Sequence, residues 1–190
     1  MERTAEGVSP FGSIILMARR AADVVAVLQA PGATTYQKAI RNVNNVLRRY
    51  GKKNTVTGED FDELKDVTRK LYKVFTEPEV DKAADLLNGV LAEFAAPPHL
   101  SDHGGGTWHL HVDSGDHAPW AERFAASSAL AIAALLAEKG RNPCGLCASP
   151  SCRKPFIDLG KGGGRSYCSP RCATRERVAA HRKRVTGLAA

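Results

Sequence analysis

The sequence predicts a mainly α chain. An α+β N-terminal domain with one small β element covers residues 1–140, and a compact four-cysteine finger that ends in a basic helix covers 141–190. Three observations lead there. Helical periodicity recurs through the first 140 residues, two close cysteine pairs stand in the last fifty, and the positive charge is concentrated on those fifty. The net charge of +7 divides unevenly: residues 141–190 hold eleven Lys/Arg against two acids, whereas residues 1–140 hold sixteen against eighteen. The basic excess therefore belongs to the cysteine module. At 190 residues and 43% apolar composition the chain can bury a real core and is not disordered.

The elements follow in order. From Phe11 to Leu28, Ala21–Leu28 reads as helix, while Ile14-Ile15-Leu16-Met17 stays open between a short strand and helix, since periodicity does not arbitrate so short a run. Between Thr34 and Tyr50, the residues Tyr36, Ile40, Val43, Leu47 and Tyr50 form one stripe, with a threonine as N-cap and Gly51 as terminator. Thr57 and Asp60 are spaced as a capping box and open a helix that buries Phe61, Leu64, Leu71 and Phe75. Pro78 suits the first turn of a helix lining up Val80, Ala84, Leu87, Leu91 and Phe94, which Pro97-Pro98 stops. After Gly104-Gly105-Gly106, a flexible connection, Trp108, Leu110 and Val112 alternate with polar residues from Thr107 to Asp113, the pattern of a half-buried strand. Trp108 and Trp120 are read as core aromatics. An alanine-rich helix from Pro119 to Lys139 offers Phe124, Leu130, Leu135 and Leu136 to the core and ends at Gly140.

The start, Met1-Glu2-Arg3-Thr4-Ala5-Glu6, lacks the charge pattern of a signal peptide, and no stretch approaches the length of a membrane span. A cytoplasmic protein is expected. In that compartment clustered cysteines point to a metal rather than to disulfides.

Cys147-x4-Cys152 and Cys168-x3-Cys172 are the spacing a tetrahedral Zn²⁺ asks for, since each pair supplies two corners from one tight turn. Lys161-Gly162-Gly163-Gly164 supplies a turn between the pairs. A second register, Cys144-x2-Cys147 with Cys168 and Cys172, has a common zinc-knuckle spacing and stays open on spacing alone. Ser169 can cap, and Pro170 begin, a helix whose positive N-terminus favours thiolates. A module with so little core needs its metal to fold.

Rotating that helix by about 100° per residue sets Thr174, Arg177, His181 and Arg184 in one sector opposite Cys172, facing a nucleic-acid groove. Arg171, Arg175 and Arg182 form a flanking stripe suited to phosphates, and Lys183 adds to the charge. Five of the six histidines lie between His99 and His117, and His109-x-His111 project from one strand face, a geometry that can bind a metal, although a solvent-facing histidine pair is the simpler reading. No nucleophile, base and orienter stand in a recognisable arrangement, and there is no phosphate-binding loop, so an enzyme is not expected.

Cys147-x4-Cys152-x3-Phe156-x-Asp158, then Arg165-x-Tyr167-Cys168-Ser169-x2-Cys172-x2-Arg175 and a basic tail with Ala179, His181 and Arg182, resemble the CGNR zinc finger. That module is a zinc-ribbon or treble-clef-like finger that follows an N-terminal ABATE domain in bacterial proteins described as stress-induced transcription regulators. Leu86-Leu87-Asn88 and the helix leading into the finger resemble that domain. Cys172-Ala173-Thr174-Arg175 keeps the first and last letters of the name motif and lacks its Gly and Asn. The resemblance implies zinc ligands at Cys147, Cys152, Cys168 and Cys172. It implies a DNA-binding transcription regulator, whose N-terminal domain dimerises or senses a small-molecule effector. A homodimer would double the contact set. RNA is the alternative partner, because nothing in the finger shows which sugar it prefers.

Overall fold

The computed structural model describes residues 10–29, 35–51, 55–102, 108–115, 117–160, 162 and 164–187. Expectations for Met1–Glu6, Thr34, His103, the Gly104–Gly106 connection, Thr107, Lys161 and Gly163 lie outside the described residues.

Four helices come first: α1 (Pro10–Leu28), α2 (Tyr36–Arg49), α3 (Gly58–Thr76) and α4 (Val80–Phe94). A hairpin of β1 (His99–Ser101) and β2 (His109–His111) follows, then α5 (Trp120–Lys139). The finger contributes β3 (Cys144–Leu146), β4 (Pro155–Ile157) and α6 (Pro170–Gly187). Both strand pairs are antiparallel.

The run Ile14–Met17, open between strand and helix in the sequence, is helix. Ala18, Ala21, Ala22 and Val25 are buried at i, i+3, i+4 and i+7, one helical face. Nothing breaks the chain between Met17 and Ala18, so the apolar run before it prolongs the same helix. Tertiary packing overrides the weak strand preference of the two isoleucines.

Helix α5 lies at the centre, packed by α1, α3 and α4. Phe124, Ala125, Ala129, Ala131, Ile132 and Leu135 are each at most 2% exposed, so burial extends around the helix rather than along one stripe. Its alanines let three neighbours approach closely. By length and composition it is long and apolar enough to cross a membrane, which the sequence reading overlooked; half of its apolar window is buried in this fold. Gly140 closes it with φ of 62° and its N–H on Leu136 O at 2.9 Å. Only a residue at ease in that left-handed region fits there.

The other helices follow their sequence signals. Thr57 N donates to the Asp60 carboxylate at 2.8 Å, one half of a capping box. Phe61, Leu64, Leu71 and Phe75 are buried as expected. In α4 the buried face is Ala83, Leu87 and Val90, flanked by partly buried Leu91 and Phe94; Pro78 stands outside the helix, before its N-cap Glu79. Tyr36 is half exposed, with its hydroxyl donating to Gly58 O and its ring edge-on to Phe61.

The β element is shorter than expected and gains a partner, His99–Ser101, that alternation did not reveal. Trp108 is 66% exposed and Leu110 57%, so the half-buried strand and the core role of Trp108 are corrected; Val112 alone of the three is buried. Only three residues pair on each side, with Leu100 and Leu110 exposed and His99, Ser101 and His111 partly covered. Trp120 packs against the core, with Arg123 over its ring.

The finger is docked onto the helical domain. Ile157 of β4 belongs to the main hydrophobic core. Asn142 donates to Val74 O and Glu77 O at 2.9 and 2.8 Å, satisfying carbonyls at the end of α3 that the helix itself leaves open. Lys154 Nζ reaches Asp23 on α1 at 2.8 Å.

Candidate metal centre and nucleic-acid interface

Each cysteine pair is delivered by a tight backbone feature. After β3 the chain turns so that Cys152 N and Arg153 N both donate to Ser149 O, at 2.9 and 3.1 Å, with Arg153 in the left-handed region at φ of 51°. That knuckle presents Cys147 and Cys152 on one side. The second pair sits at the start of α6, where Cys172 N donates to Ser169 Oγ at 3.3 Å. Ser169 is thus the N-cap and Pro170 the first helical residue, as the sequence signalled.

The four Sγ atoms of Cys147, Cys152, Cys168 and Cys172 lie within 4.8 Å of one another. Cys152 to Cys168 is 3.7 Å and Cys168 to Cys172 is 3.8 Å. Four thiolates about 2.3 Å from a tetrahedral ion are about 3.8 Å apart, so the donor set fits zinc. Cys168 N also points at Cys147 Sγ at 3.5 Å, and Arg175 Nη2 at Cys172 Sγ at the same distance. Both contacts favour sulfur carrying negative charge. Burial, helped by Cys152, Cys147 and Cys172, pushes the Cys168 thiol up to about 12, while contact with the Ser169 hydroxyl draws Cys172 down to about 7.

Cys144 is outside this group. It pairs with Ile157 in the β3–β4 register and packs against the core, where burial pushes its thiol up strongly. The geometry therefore converges on the Cys152 register and leaves Cys144 aside.

Two networks hold the finger's shape. Ser149, fully buried, donates from Oγ to Glu176 Oε1 and accepts from Arg175 Nη2, both at 2.6 Å, which ties the knuckle to the first turns of α6. Asp158, 4% exposed, accepts from Gly160 N, Arg165 N and Arg141 Nη2 at 2.8–3.0 Å. Burial opposes its ionisation, but the Gly160 and Arg165 N–H groups and the Arg141 guanidinium outweigh that and hold the carboxyl below its ordinary range. The sequence reading named Asp158 as part of a motif without assigning it a role and missed Ser149 and Glu176. A short buried acid between a hairpin and a glycine-rich loop is the signal that marks Asp158.

The basic residues now sort into two groups. Arg141, Arg165, Lys154 and Arg175 bind within the protein. Arg175 is one turn beyond Cys172, so it lies on the metal side of α6 and not with the phosphate stripe assigned to it from the helix rotation. Arg171, Thr174, Arg177, His181, Arg182, Lys183 and Arg184 are exposed on α6. Among the described residues the only side-chain bond of these seven is Arg177 to Thr174 at 3.2 Å, within the helix. Glu176, the one acid on α6, is turned inward to Ser149.

Residues 16–139 match the ABATE family, described as "Putative stress-induced transcription regulator", and residues 144–185 match the CGNR zinc finger. No curated protein matches the chain.

Proposed function

Because the chain belongs to the ABATE family and carries a CGNR zinc finger after that domain, we propose that it is a zinc-dependent, DNA-binding transcription regulator of a bacterium, acting in the cytoplasm. Zinc held by Cys147, Cys152, Cys168 and Cys172 fixes the knuckle against the start of α6, and α6 delivers the binding. The observation that carries this reading is the exposed basic surface of α6, whose single acid is consumed by Ser149. Thr174, Arg177, His181 and Arg184 face the groove, and Arg171 and Arg182, with Lys183, grip phosphates.

The shape of α6 favours DNA over RNA. It is a continuous 18-residue helix, about 27 Å long, exposed from Arg177 to Thr186. The B-DNA major groove admits such a helix, whereas the A-form RNA major groove is too narrow to be read. A genome-wide pull-down of bound DNA and RNA from the host tests the nucleic-acid class directly. Recovery of RNA without DNA would transfer the reading to the alternative partner.

The helical domain supplies pairing and sensing, including any small-molecule effector. Pairing through the helices that carry Phe61, Leu71, Leu87 and Phe94, or through the face of the helix ending at Lys139, is one expectation from the sequence, and the first three of those side chains are buried within the single chain. Leu100 and Leu110 are exposed opposite one another on the β1–β2 pair, Trp108 just before β2 is exposed too, and we assign homodimer contact to this apolar surface. Light scattering of the full chain should show a dimer that Trp108→Asp weakens; a monomer at high micromolar concentration would remove pairing from the proposal.

A further inference from the structure

We propose that the β1–β2 hairpin holds one divalent first-row transition-metal ion through His99, His109 and His111, separate from the cysteine centre and independent of the nucleic-acid reading. The register sets His99 directly opposite His111, and His109 lies two residues earlier on the same strand, hence on the same face. Two imidazoles at i and i+2 with a third across the ladder converge above a strand pair. The rings are close: the His109 and His111 centroids are 4.7 Å apart and tilted by 50°, and those of His99 and His111 are 5.6 Å apart and stacked at 30°. Three imidazoles about 2.1 Å from a shared ion bring neighbouring centroids to about 5 Å, so the ring spacing suits an ion, whose binding would turn the nitrogens from their present stacked and tilted contacts toward one point.

A carboxylate orients the central ring. His111 Nδ1 is 3.0 Å from Asp113 Oδ2, and Asp113 is itself 5% exposed, with Gly115 N on its other oxygen at 3.2 Å. An Nδ1–H donated to Asp113 fixes the ring's orientation and directs Nε2 to the ion, as carboxylates do behind metal-binding histidines. The scaffold is anchored at both ends, by Ala96 N on Val112 O at 2.7 Å and by Ser114 N on Glu122 Oε1 at 2.6 Å. An ion here would brace the connection from α4 to α5, the central helix that leads into the finger. Imidazole donors select Zn²⁺, Ni²⁺ or Cu²⁺ over Mg²⁺ and Ca²⁺.

The test dialyses the full chain, its finger already carrying one zinc, against excess Zn²⁺, followed by metal analysis. Two equivalents per chain are expected. His109→Ala with His111→Ala should return the chain to one, with the first zinc and the far-ultraviolet circular dichroism retained. Asp113→Asn should keep two while lowering affinity for the second 10- to 100-fold, and His117→Ala, an exposed histidine outside the cluster, should change nothing. Co²⁺ added to the zinc-loaded chain should absorb without a thiolate-to-cobalt charge-transfer band. Saturation at one equivalent, a second ion retained by the double variant, its loss in His117→Ala, or a thiolate band from added Co²⁺ would each overturn the proposal.

Discussion

Arg175 donates from Nη2 to Ser149 Oγ at 2.6 Å and points the same nitrogen at Cys172 Sγ at 3.5 Å. One guanidinium thus joins the knuckle of the first cysteine pair to the helix that carries the second. Its partner Ser149 is fully buried, so the oxygen has no water to replace the lost donor. Arg175→Ala is expected to destabilise the finger by about 1–3 kcal/mol and to speed zinc release. Arg182→Ala, on the exposed part of the same helix, should leave zinc release unchanged. Zinc transfer to a chromophoric chelator, followed in time, separates the two. Equal release rates would place Arg175 among the solvent-facing cations.

The metal register gives a second test. Cys152→Ser should lose stoichiometric zinc because a tetrahedral site stripped of one thiolate is weakly held, and the finger should lose its order with the metal. Cys144→Ser should keep one zinc per chain, since that thiol packs against the core. Metal analysis after gel filtration decides. The opposite pattern would move the site to the Cys144-x2-Cys147 register.

Asp158 should leave a mark on the acid limb of stability. Its folded carboxyl sits below the usual value, so its contribution is fully present above about pH 4, where an unfolded aspartate is ionised. It fades as pH falls through the lower, folded value. At neutral pH, Asp158→Asn is expected to cost about 3 kcal/mol, because Arg141 loses its buried counter-charge. The gap between the two chains should narrow below pH 4, on top of the thiolate protonation common to both. Denaturant unfolding at several pH values measures it, and a constant gap would mean the carboxylate charge is not what matters.

Much of this architecture was legible in the sequence because local chemistry and tertiary packing agree. The Thr57–Asp60 pair, Ser169-Pro170 and Gly140 each mark a helix end by a rule of backbone hydrogen bonding, and each end stands where the rule puts it. The cysteine pairs were readable because a tetrahedral ion constrains spacing. Ile14–Met17 stayed open in the sequence because so short a run carries no decisive period; continuation of a helix packed on α5 decides it. Trp108 was misread because composition says where a large ring prefers to be, not whether a three-residue hairpin has a core beneath it. Helix rotation put Arg175 on a phosphate-facing flank and missed that, one turn from Cys172, it has a buried partner 26 residues earlier. No periodicity encodes such a contact.

The measurement closest to the central claim is binding of the zinc-loaded full chain to one DNA duplex across a salt series, with Arg171→Glu, Arg182→Glu, Arg177→Ala and His181→Ala beside the parent. Each lost phosphate contact should reduce the slope of log affinity against log salt by about 1, so the two Glu variants should bind every sequence more weakly and with flatter salt dependence. The two Ala variants should keep the slope more nearly intact and cost about 1–3 kcal/mol on a preferred site while sparing a scrambled one. Chelation of the zinc should abolish binding altogether. Affinity that is indifferent to all four substitutions and to the metal would contradict DNA recognition by α6.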